Sequence, residues 1–337
     1  MERLFTVVLV VILVVSLTIT GCTTPSPSSP LTSPTATISS ASSASKTSIP
    51  SSTPTSATTA NKPDKVYELS FASHDYDNVY GTVNGTNPLM DRIEKATNGR
   101  VKINRYYGGS LVKGTDAWMA VKTGTADIAW CVLGYWPGLA PLSEVITLPF
   151  LPVKSDRQAS GVLMKLYEKF PEIQKEYADV VLMVFNCTDP YQILTTKRQV
   201  KKIEDMRGLN IRVLAGPPTE AMKALGANPM LINMNDVYLS LQKGILDAVL
   251  ASGGLMEIYN LYEVTRYWTH ISTSVSPQAI VMNKQKFESL PADIQKAIMN
   301  ECGYEGSRRY TREYRDPAQK PLRQEMEAFV SKGGKPL

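Results

Sequence analysis

Histidine is almost absent from this chain, since only His74 and His270 occur in 337 residues. Neither stands at a metal-ligand spacing from a second ligand or at a familiar spacing from a nucleophile. The sequence also lacks a Gly-x-Ser-x-Gly elbow, a glycine-rich phosphate loop and a His-Glu-x-x-His motif. We therefore expect no catalytic residue, no metal ligand and no cofactor. Side-chain and backbone oxygens can converge on an ion without leaving a sequence pattern, so a metal ion that bridges a ligand to the protein stays an open alternative. A catalytic triad that assembles only in space leaves no such signature, so an enzyme stays an open alternative.

The chain also has a small net charge and few cysteines. The formal net charge is +5, without a dense Lys/Arg stripe or a nucleic-acid motif, so nucleic acid is not an expected partner. Of the four cysteines, Cys131, Cys187 and Cys302 lie among apolar neighbours and away from any metal-ligand spacing. Two interpretations remain for these three: buried free thiols, or one disulfide with one thiol left over.

The fourth cysteine, Cys22, follows a segment typical of a lipoprotein signal. An apolar run covers residues 4–17, and at about 15 residues it is short for a membrane span, which needs roughly 20. The sequence LTITGC at 17–22 resembles a bacterial lipobox, whose cysteine receives the lipid. We therefore predict a signal peptide over residues 1–21 and lipidation of Cys22. An ordinary secretory signal with a chance cysteine is the alternative.

Residues 22–64 are predicted to form a disordered linker. Of the 40 residues at 23–62, 29 are Ser, Thr or Pro, which leaves almost nothing to build a core. A flexible chain of this length spans roughly 30 to 40 Å. We expect it to tether the folded part to the extracytoplasmic face of the membrane.

The remainder of the chain predicts an α/β fold. Strand and helix patterns alternate as β-α-β-α-β between residues 66 and 132, and the buried strands lack period-two patterning. Such alternation is typical of an α/β layer with a mainly parallel sheet. The pattern starts again after Pro190, which indicates a second α/β lobe, and a late strand at 278–283 is predicted to return to the first.

These patterns predict two lobes with a ligand cleft between them, the architecture of periplasmic binding proteins. We expect lobe I over residues 65–190 with roughly 278–316 returning to it, lobe II over 191–277, and a C-terminal helix at 317–337 on lobe II. Four local predictions can be checked directly. Ser155 caps a helix that runs through Phe170, Asn235 caps another, a helical stretch covers 256–268, and a long helix runs from Leu290 to Pro317.

Arg212 is the most informative charged residue. On the predicted strand it alternates with Ile211 and Val213, so its side chain faces away from the core. An arginine near the carboxyl end of an α/β strand points toward the crevice where ligands bind, and its planar fork suits a carboxylate. A structural ion pair or a solvated arginine at a sheet edge is the alternative.

Eight segments share a family pattern in consistent order over roughly residues 66–300. They are KTGTADIA (122–129), GYWPG (134–138), LPFL (148–151), IEDMRGLNIRV (203–213), ALGANP (224–229), DVYLSLQKGILD (236–247), MN (282–283) and LP (290–291). Together they resemble the substrate-binding proteins of TRAP transporters, the C4-dicarboxylate-binding type. The resemblance implies two lobes that close on a ligand, delivery to separate membrane permease subunits, and uptake driven by an ion gradient.

The resemblance also bears on the ligand. Arg212 matches the arginine that pairs with the ligand's carboxylate in this family. Many members carry a second arginine about where Tyr191 and Gln192 stand here, and an asparagine a few residues after an Asp-Gly, where this chain reads DAVLAS at 247–252. These departures favour a monocarboxylate over a ligand with two ionic anchors. The implied function is an extracytoplasmic receptor for a small organic acid, without catalysis.

The other expected ligand-binding residues come from both lobes. Lobe I supplies His74, Asp75, Trp130 and Tyr135, and lobe II supplies Gln192, Asn235, Tyr238 and Ser252. Each has a structural alternative, because aromatics at strand ends often belong to the core, an N-cap is a sufficient role for Asn235, and the first loop can make local turn contacts.

Two further functions stay open. One is a ligand-sensing protein that serves a membrane signalling partner, which gene neighbourhood would distinguish from a transport receptor. The other is a carbohydrate receptor of an ATP-driven importer, whose sugar binding would be insensitive to the loss of Arg212.

Overall fold

The computed structural model describes residues 65–149, 151–315, 327 and 329–336. The predicted signal peptide, Cys22 and the linker lie outside the described residues, as do Phe150 and much of the predicted helix at 317–337. No helix in the described part of the chain is both long enough and apolar enough to cross a membrane.

The first sheet has five strands in the order β2-β1-β3-β10-β4. They are β1 Tyr67–Ala72, β2 Val101–Tyr106, β3 Ile128–Val132, β4 Val180–Cys187 and β10 Pro277–Asn283. β1 is parallel to β2 and β3, as the alternating pattern predicts, whereas β10 lies antiparallel between β3 and β4. The sheet is therefore mixed, because a strand from late in the chain is inserted into a parallel layer.

Helices pack on and beside this sheet. They are α1 Asn87–Ala96, α2 Ala117–Thr123, α3 Asp156–Lys169, α4 Pro171–Lys175, α8 Lys284–Glu288, α9 Ala292–Asn300 and α10 Gly303–Arg315. The predicted N-cap of α3 is confirmed, since Ser155 Oγ accepts a hydrogen bond from Gln158 N at 3.2 Å. The prediction of one long helix after Leu290 is wrong. The helix ends at Asn300, and α10 begins anew at Gly303, whose φ is +68°.

The second sheet has six strands in the order β11-β9-β5-β8-β6-β7. They are β5 Gln192–Thr195, β6 Asn210–Arg212, β7 Asn228–Met230, β8 Ala248–Ala251, β9 Tyr267–Thr269 and β11 Lys335–Pro336. β6 is parallel to β7 and β8, while β5 is antiparallel to β8 and β9. The helices of this part are α5 Pro217–Ala224, α6 Met234–Gln242 and α7 Gly253–Ile258.

The predicted helical stretch at 256–268 is only partly correct. α7 ends at Ile258, Asn260 adopts the left-handed conformation with φ of +51°, and Trp268 lies in strand β9. Trp268 is buried opposite Leu194 of β5, so packing on the sheet outweighs the helical pattern.

The apolar faces of both sheets are buried. Phe71 and Ile128 of the first sheet and Ile211 and Val249 of the second are fully buried, and each such side chain contributes about 1.5–3 kcal/mol to stability. Cys131, Cys187 and Cys302 are buried, and none of the three is in a disulfide within the described structure.

Candidate functional site

Segments at the carboxyl ends of parallel strands from both sheets meet in one place. His74 and Asp75 follow β1, and Tyr135 lies in a 3-10 turn directly after β3. Arg212 ends β6 of the second sheet. This edge is where α/β sheets bind ligands. The backbones also touch here, because Ala215 N donates to the carbonyl oxygen of Gly134 at 2.8 Å.

The guanidinium of Arg212 is buried, and no carboxylate of the described residues pairs with it. The residue is 2% exposed. Its Nε donates to the carbonyl oxygen of Ile232 at 3.1 Å, and its Nη2 donates to the hydroxyl of Tyr135 at 3.3 Å. Nη1 is buried and has no hydrogen-bond partner among the residues that the structure describes. An unpaired buried charge costs several kcal/mol, so the site favours an anion. Neither a solvated arginine nor an internal ion pair describes this geometry.

Tyr135 connects the two sheets through its hydroxyl. The oxygen accepts hydrogen bonds from Arg212 Nη2 and from Met234 N, the latter at 3.0 Å. Burial raises the pKa of Tyr135, although the Arg212 charge lowers it, so the phenol keeps its proton. Since both lone pairs of the oxygen are used, its O–H is left to donate. The ring lies 5.8 Å from the Arg212 guanidinium carbon, within cation–π range.

His74 is buried between two aromatic rings. Its ring centroid lies 4.9 Å from that of Trp130 and 5.8 Å from that of Tyr135. Burial lowers the pKa of His74, Asp75 raises it and Arg212 lowers it. A Cβ added to Gly114 would lie only 2.7 Å from His74 Nδ1. Gly114 therefore leaves the space that the imidazole occupies, a role that the sequence does not reveal.

Asp75 is buried and bonded to two tyrosines from distant parts of the chain. Its Oδ1 accepts from the Tyr259 hydroxyl at 3.3 Å, and its Oδ2 accepts from the Tyr314 hydroxyl at 2.8 Å. Tyr259 belongs to the core that packs on the second sheet, while Tyr314 lies in α10 beside the first. Neither tyrosine was among the residues expected from the sequence. Asp75 thus links the two sheets.

Trp130 brings an indole N–H into the same cluster. The residue is in β3 and 3% exposed. Its ring packs on His74 and stacks on Tyr314 with centroids 6.4 Å apart. Its Nε1 is buried without a hydrogen-bond partner in the described part of the chain. A buried indole N–H usually has a partner, so this donor is suited to a ligand.

The predicted N-cap role of Asn235 is wrong. Asn233 caps α6 instead, because its side-chain oxygen accepts from Asn235 N at 3.2 Å. The side chain of Asn235 is thereby free to cross to the first sheet, where its Nδ2 donates to the carbonyl oxygen of His74 at 3.3 Å. Its Oδ1 is buried and lacks a donor among the described residues.

Three other expected residues lie in different surroundings. Gln192 is bonded to the carbonyl oxygen of Pro190 at 3.1 Å and to His270 Nδ1 at 2.9 Å. The hydroxyl of Tyr238 donates to Glu263 at 2.7 Å on the surface. Ser252 follows β8, fully buried, and its Oγ has no partner in the described structure. The structure therefore gathers His74, Asp75, Trp130, Tyr135, Arg212 and Asn235, which we call the cleft cluster.

No group of three or more His, Cys, Asp or Glu side chains within the described ranges could hold a metal ion.

Comparison with known proteins gives a family match. The family model for bacterial extracellular solute-binding proteins, family 7, matches residues 73–334. The chain is similar to the monocarboxylate 2-oxoacid-binding periplasmic protein of Nostoc sp., with 27% identity over 228 residues, 64% of this chain and 60% of that protein. It is also similar to the C4-dicarboxylate-binding periplasmic protein of Rhodobacter capsulatus, with 26% identity over 216 residues, 64% of each chain. The match spans less than two thirds of the length of these relatives.

Among solved structures, a TRAP solute-binding protein from Rhodoferax ferrireducens, in complex with copurified benzoate, has a similar fold. The TM-score is 0.73 at 22% identity, over 80% of this chain and 84% of that one. At this identity the likeness concerns the arrangement of the two sheets and their helices.

Proposed function

The chain belongs to family 7 of the bacterial extracellular solute-binding proteins, and we propose that it is the receptor of a TRAP-type secondary transporter that captures a small organic acid. The carboxylate of the acid pairs with Arg212, the two lobes close on it, and the loaded receptor delivers it to the membrane permease. The protein itself catalyses no reaction.

The buried, unpaired guanidinium of Arg212 carries this proposal. Its Nη1 has no partner among the described residues, and the Tyr135 hydroxyl beside it retains a proton to donate. A ligand carboxylate would accept from both groups. Hydrogen bonds to charged groups contribute about 1.5–3 kcal/mol each, enough to select an anion over a neutral solute.

Hydrogen bonds between the two sheets support cleft closure. Arg212 and Met234 donate to Tyr135, Asn235 donates to the His74 carbonyl, and Tyr259 donates to Asp75. Each bond joins a residue of one sheet region to a residue of the other, so each would break when the lobes separate. A ligand that bridges Arg212 and the first-sheet residues would favour the closed state by adding to this set.

The charges of the site favour a ligand with one carboxylate. Gln192 stands about where many family members carry a second arginine, and it is bonded to His270. Within the cleft cluster Arg212 is the cation and Asp75 the anion, while burial lowers the pKa of His74 and keeps it neutral. One cation neutralises one carboxylate.

The anchoring and lobe boundaries belong to the same proposal. Lobe I covers 65–190 with roughly 278–316 returning to it, and lobe II covers 191–277. The position of β10 between β3 and β4 supports this division. Cys22 carries the lipid that holds the receptor on the extracytoplasmic face, with 22–64 as the tether. Incorporation of labelled fatty acid, lost in Cys22→Ala, tests the anchor.

The binding site is tested by a thermal-shift screen of the protein against small organic acids, followed by affinity measurements, because a ligand that binds only the native state raises Tm. Arg212→Ala and Arg212→Lys are compared with Arg308→Ala, a surface arginine paired with Glu305 at 3.2 Å. Loss of one partner of a buried ion pair costs about 3–5 kcal/mol, so affinity should fall at least about 100-fold in both Arg212 variants.

Arg308→Ala should bind like the wild type. The Arg212→Lys variant should lose affinity as well, because lysine keeps the positive charge but lacks the planar guanidinium that pairs with a carboxylate. If no acid raises Tm, or if the Arg212 variants bind as the wild type does, the proposed ligand class is wrong.

A further inference from the structure

Four buried polar side-chain atoms of the cleft cluster lack a hydrogen-bond partner within the described structure: His74 Nδ1, Arg212 Nη1, Trp130 Nε1 and Asn235 Oδ1. His74 Nδ1 faces Gly114, where an added Cβ would lie 2.7 Å away, so the other three atoms are left to meet a ligand. Their chemistry differs. The guanidinium and indole nitrogens can only donate, whereas the amide oxygen can only accept. The residues are contiguous, since Asn235 is bonded to the backbone of His74, His74 packs on Trp130 and Tyr135, and Tyr135 is bonded to Arg212.

The orientation of the Asn235 amide is fixed by its neighbour. Its Nδ2 lies 3.3 Å from the carbonyl oxygen of His74, and a carbonyl oxygen requires a donor. Exchanging the amide oxygen and nitrogen would set two acceptors against each other. The group that Asn235 offers to the cleft is therefore the oxygen.

Building on the proposed function, we propose that the ligand is a small hydroxy monocarboxylate. Its carboxylate accepts hydrogen bonds from Arg212 Nη1 and Trp130 Nε1, and its hydroxyl donates to Asn235 Oδ1. A plain carboxylate provides acceptors only, so it would leave the Asn235 oxygen buried without a donor. The penalty for such an unsatisfied group corresponds to about 5- to 150-fold in affinity.

Other substituents fit this oxygen less well. An oxo group is an acceptor and would face a second acceptor. An ammonium group brings a full charge out of water, which one neutral amide oxygen does not offset. Asp75 differs from Asn235 in this respect, because both of its oxygens already accept a hydrogen bond, from Tyr259 and Tyr314, and neither needs a donor from the ligand.

A second carboxylate is disfavoured by the same cluster. Asp75 is 5% exposed and lies close enough to His74 to act on its charge. The added anion would face Asp75 with Arg212 already paired, and like charges in a buried site repel. Dicarboxylates should therefore bind more weakly than monocarboxylates of similar size.

The test compares matched acids that differ only at one substituent, by calorimetric titration of the intact protein. One set is propanoate with its 2-hydroxy, 3-hydroxy, 2-oxo and 2-amino derivatives, and a second is phenylacetate with its 2-hydroxy and 2-oxo derivatives. Two carbon skeletons keep ligand size from deciding the result. In the set that binds, a hydroxy acid should bind about 5- to 150-fold more tightly than its unsubstituted, oxo and amino partners.

The residue assignment is tested by Asn235→Leu, which removes the acceptor but keeps a side chain of similar size. The readout is the ratio of hydroxy-acid to unsubstituted-acid affinity. Loss of the Asn235 bond to His74 weakens both acids alike and leaves the ratio unchanged, whereas loss of the acceptor brings the ratio to about one. Gln242→Leu, which removes an exposed amide from the same helix, serves as the control that keeps the wild-type ratio.

Equal affinity for hydroxy and unsubstituted acids, or tighter binding of the oxo or amino acid, would overturn the hydroxyl proposal while the carboxylate receptor stands. A ratio that survives Asn235→Leu would overturn the role of this residue. If no acid of either set or of the wider screen binds, the proposed function fails and this inference fails with it.

Discussion

Asn233 caps helix α6 and thereby positions Asn235, which lies in the first turn of that helix. The side-chain oxygen of Asn233 accepts from Asn235 N at 3.2 Å, and the Asn235 side chain then reaches the carbonyl oxygen of His74 at 3.3 Å. The helix cap in the second sheet region therefore supports, through Asn235, a hydrogen bond to the first sheet region.

Removal of the cap should therefore affect stability and binding together. Asn233→Ala is expected to lower the free energy of unfolding by about 1 kcal/mol, because the first turn of α6 loses an accepted hydrogen bond. It should also weaken ligand binding, since Asn235 is less well held. Asn233→Asp, which retains the cap, is the control. Urea unfolding and ligand titration measure both effects, and an alanine variant as stable as the aspartate variant would contradict the prediction.

Gly114 should tolerate no side chain. A Cβ at this position would lie 2.7 Å from Nδ1 of the buried His74 ring, which is packed against Trp130 and Tyr135. Gly114→Ala is therefore expected to displace the imidazole, reducing ligand affinity about tenfold or more, since overpacking a buried site costs about 1–3 kcal/mol.

The matched control for this variant is Gly161→Ala. Gly161 lies within α3, and a Cβ there meets no atom within 4 Å. That variant should keep full affinity and gain up to about 1 kcal/mol in stability, because alanine favours the helix. Equal affinity in the two variants would show that the His74 ring has room to move.

The pH dependence of closure should follow His74. Burial lowers its pKa below the ordinary value of 6.5, Asp75 opposes the shift and Arg212 adds to it. Below about pH 6.5 the unfolded or open chain binds a proton that the closed state excludes. Stability and closure are therefore fully supported above that pH and decline as the pH falls toward the lowered pKa.

The measurement is Tm between pH 5 and 8 for the wild type, His74→Gln and His270→Gln. The wild type and His270→Gln should share a decline in Tm below about pH 6.5, and His74→Gln should show a smaller one. The same slope in all three proteins would assign the acid sensitivity to other groups.

The sequence predicts the parts of this fold that depend on local pattern. The parallel strands β1 to β3 follow from the alternation of strand and helix patterns. The Ser155 cap follows from the residue type, and the placement of Arg212 at a strand end follows from its apolar neighbours. The break at Gly303 also had a local signal, because a glycine in the left-handed conformation ends helices.

The missed features depend on contacts between distant residues. Asparagine is a good N-cap residue, so the sequence offers both Asn233 and Asn235 as the N-cap of α6. In the structure Asn235 instead contacts His74, which is 161 positions away in the chain. Tyr259 and Tyr314 meet Asp75 from separations of 184 and 239 residues. Such partners leave no spacing in the sequence, and they become visible only once the sheets are assembled.

The two tyrosines that bind Asp75 provide a matched test of closure. Each variant, Tyr259→Phe and Tyr314→Phe, removes one hydroxyl that donates to the same carboxylate. The Tyr259 bond joins the two sheet regions, so we expect it to break when the lobes separate, whereas α10, which carries Tyr314, packs against β4 of the first sheet. Hydrogen bonds to charged groups contribute about 1.5–3 kcal/mol.

Tyr259→Phe should therefore weaken ligand affinity about tenfold or more with a modest effect on unfolding, because it destabilises the closed state relative to the open one. Tyr314→Phe should lower the free energy of unfolding by about 1.5–3 kcal/mol and change affinity less than about threefold. Calorimetric titration measures the affinity of both variants, and urea unfolding measures their free energy of unfolding. Equal losses of affinity would mean that Asp75 is held within lobe I alone and that its bond to Tyr259 plays no part in closure.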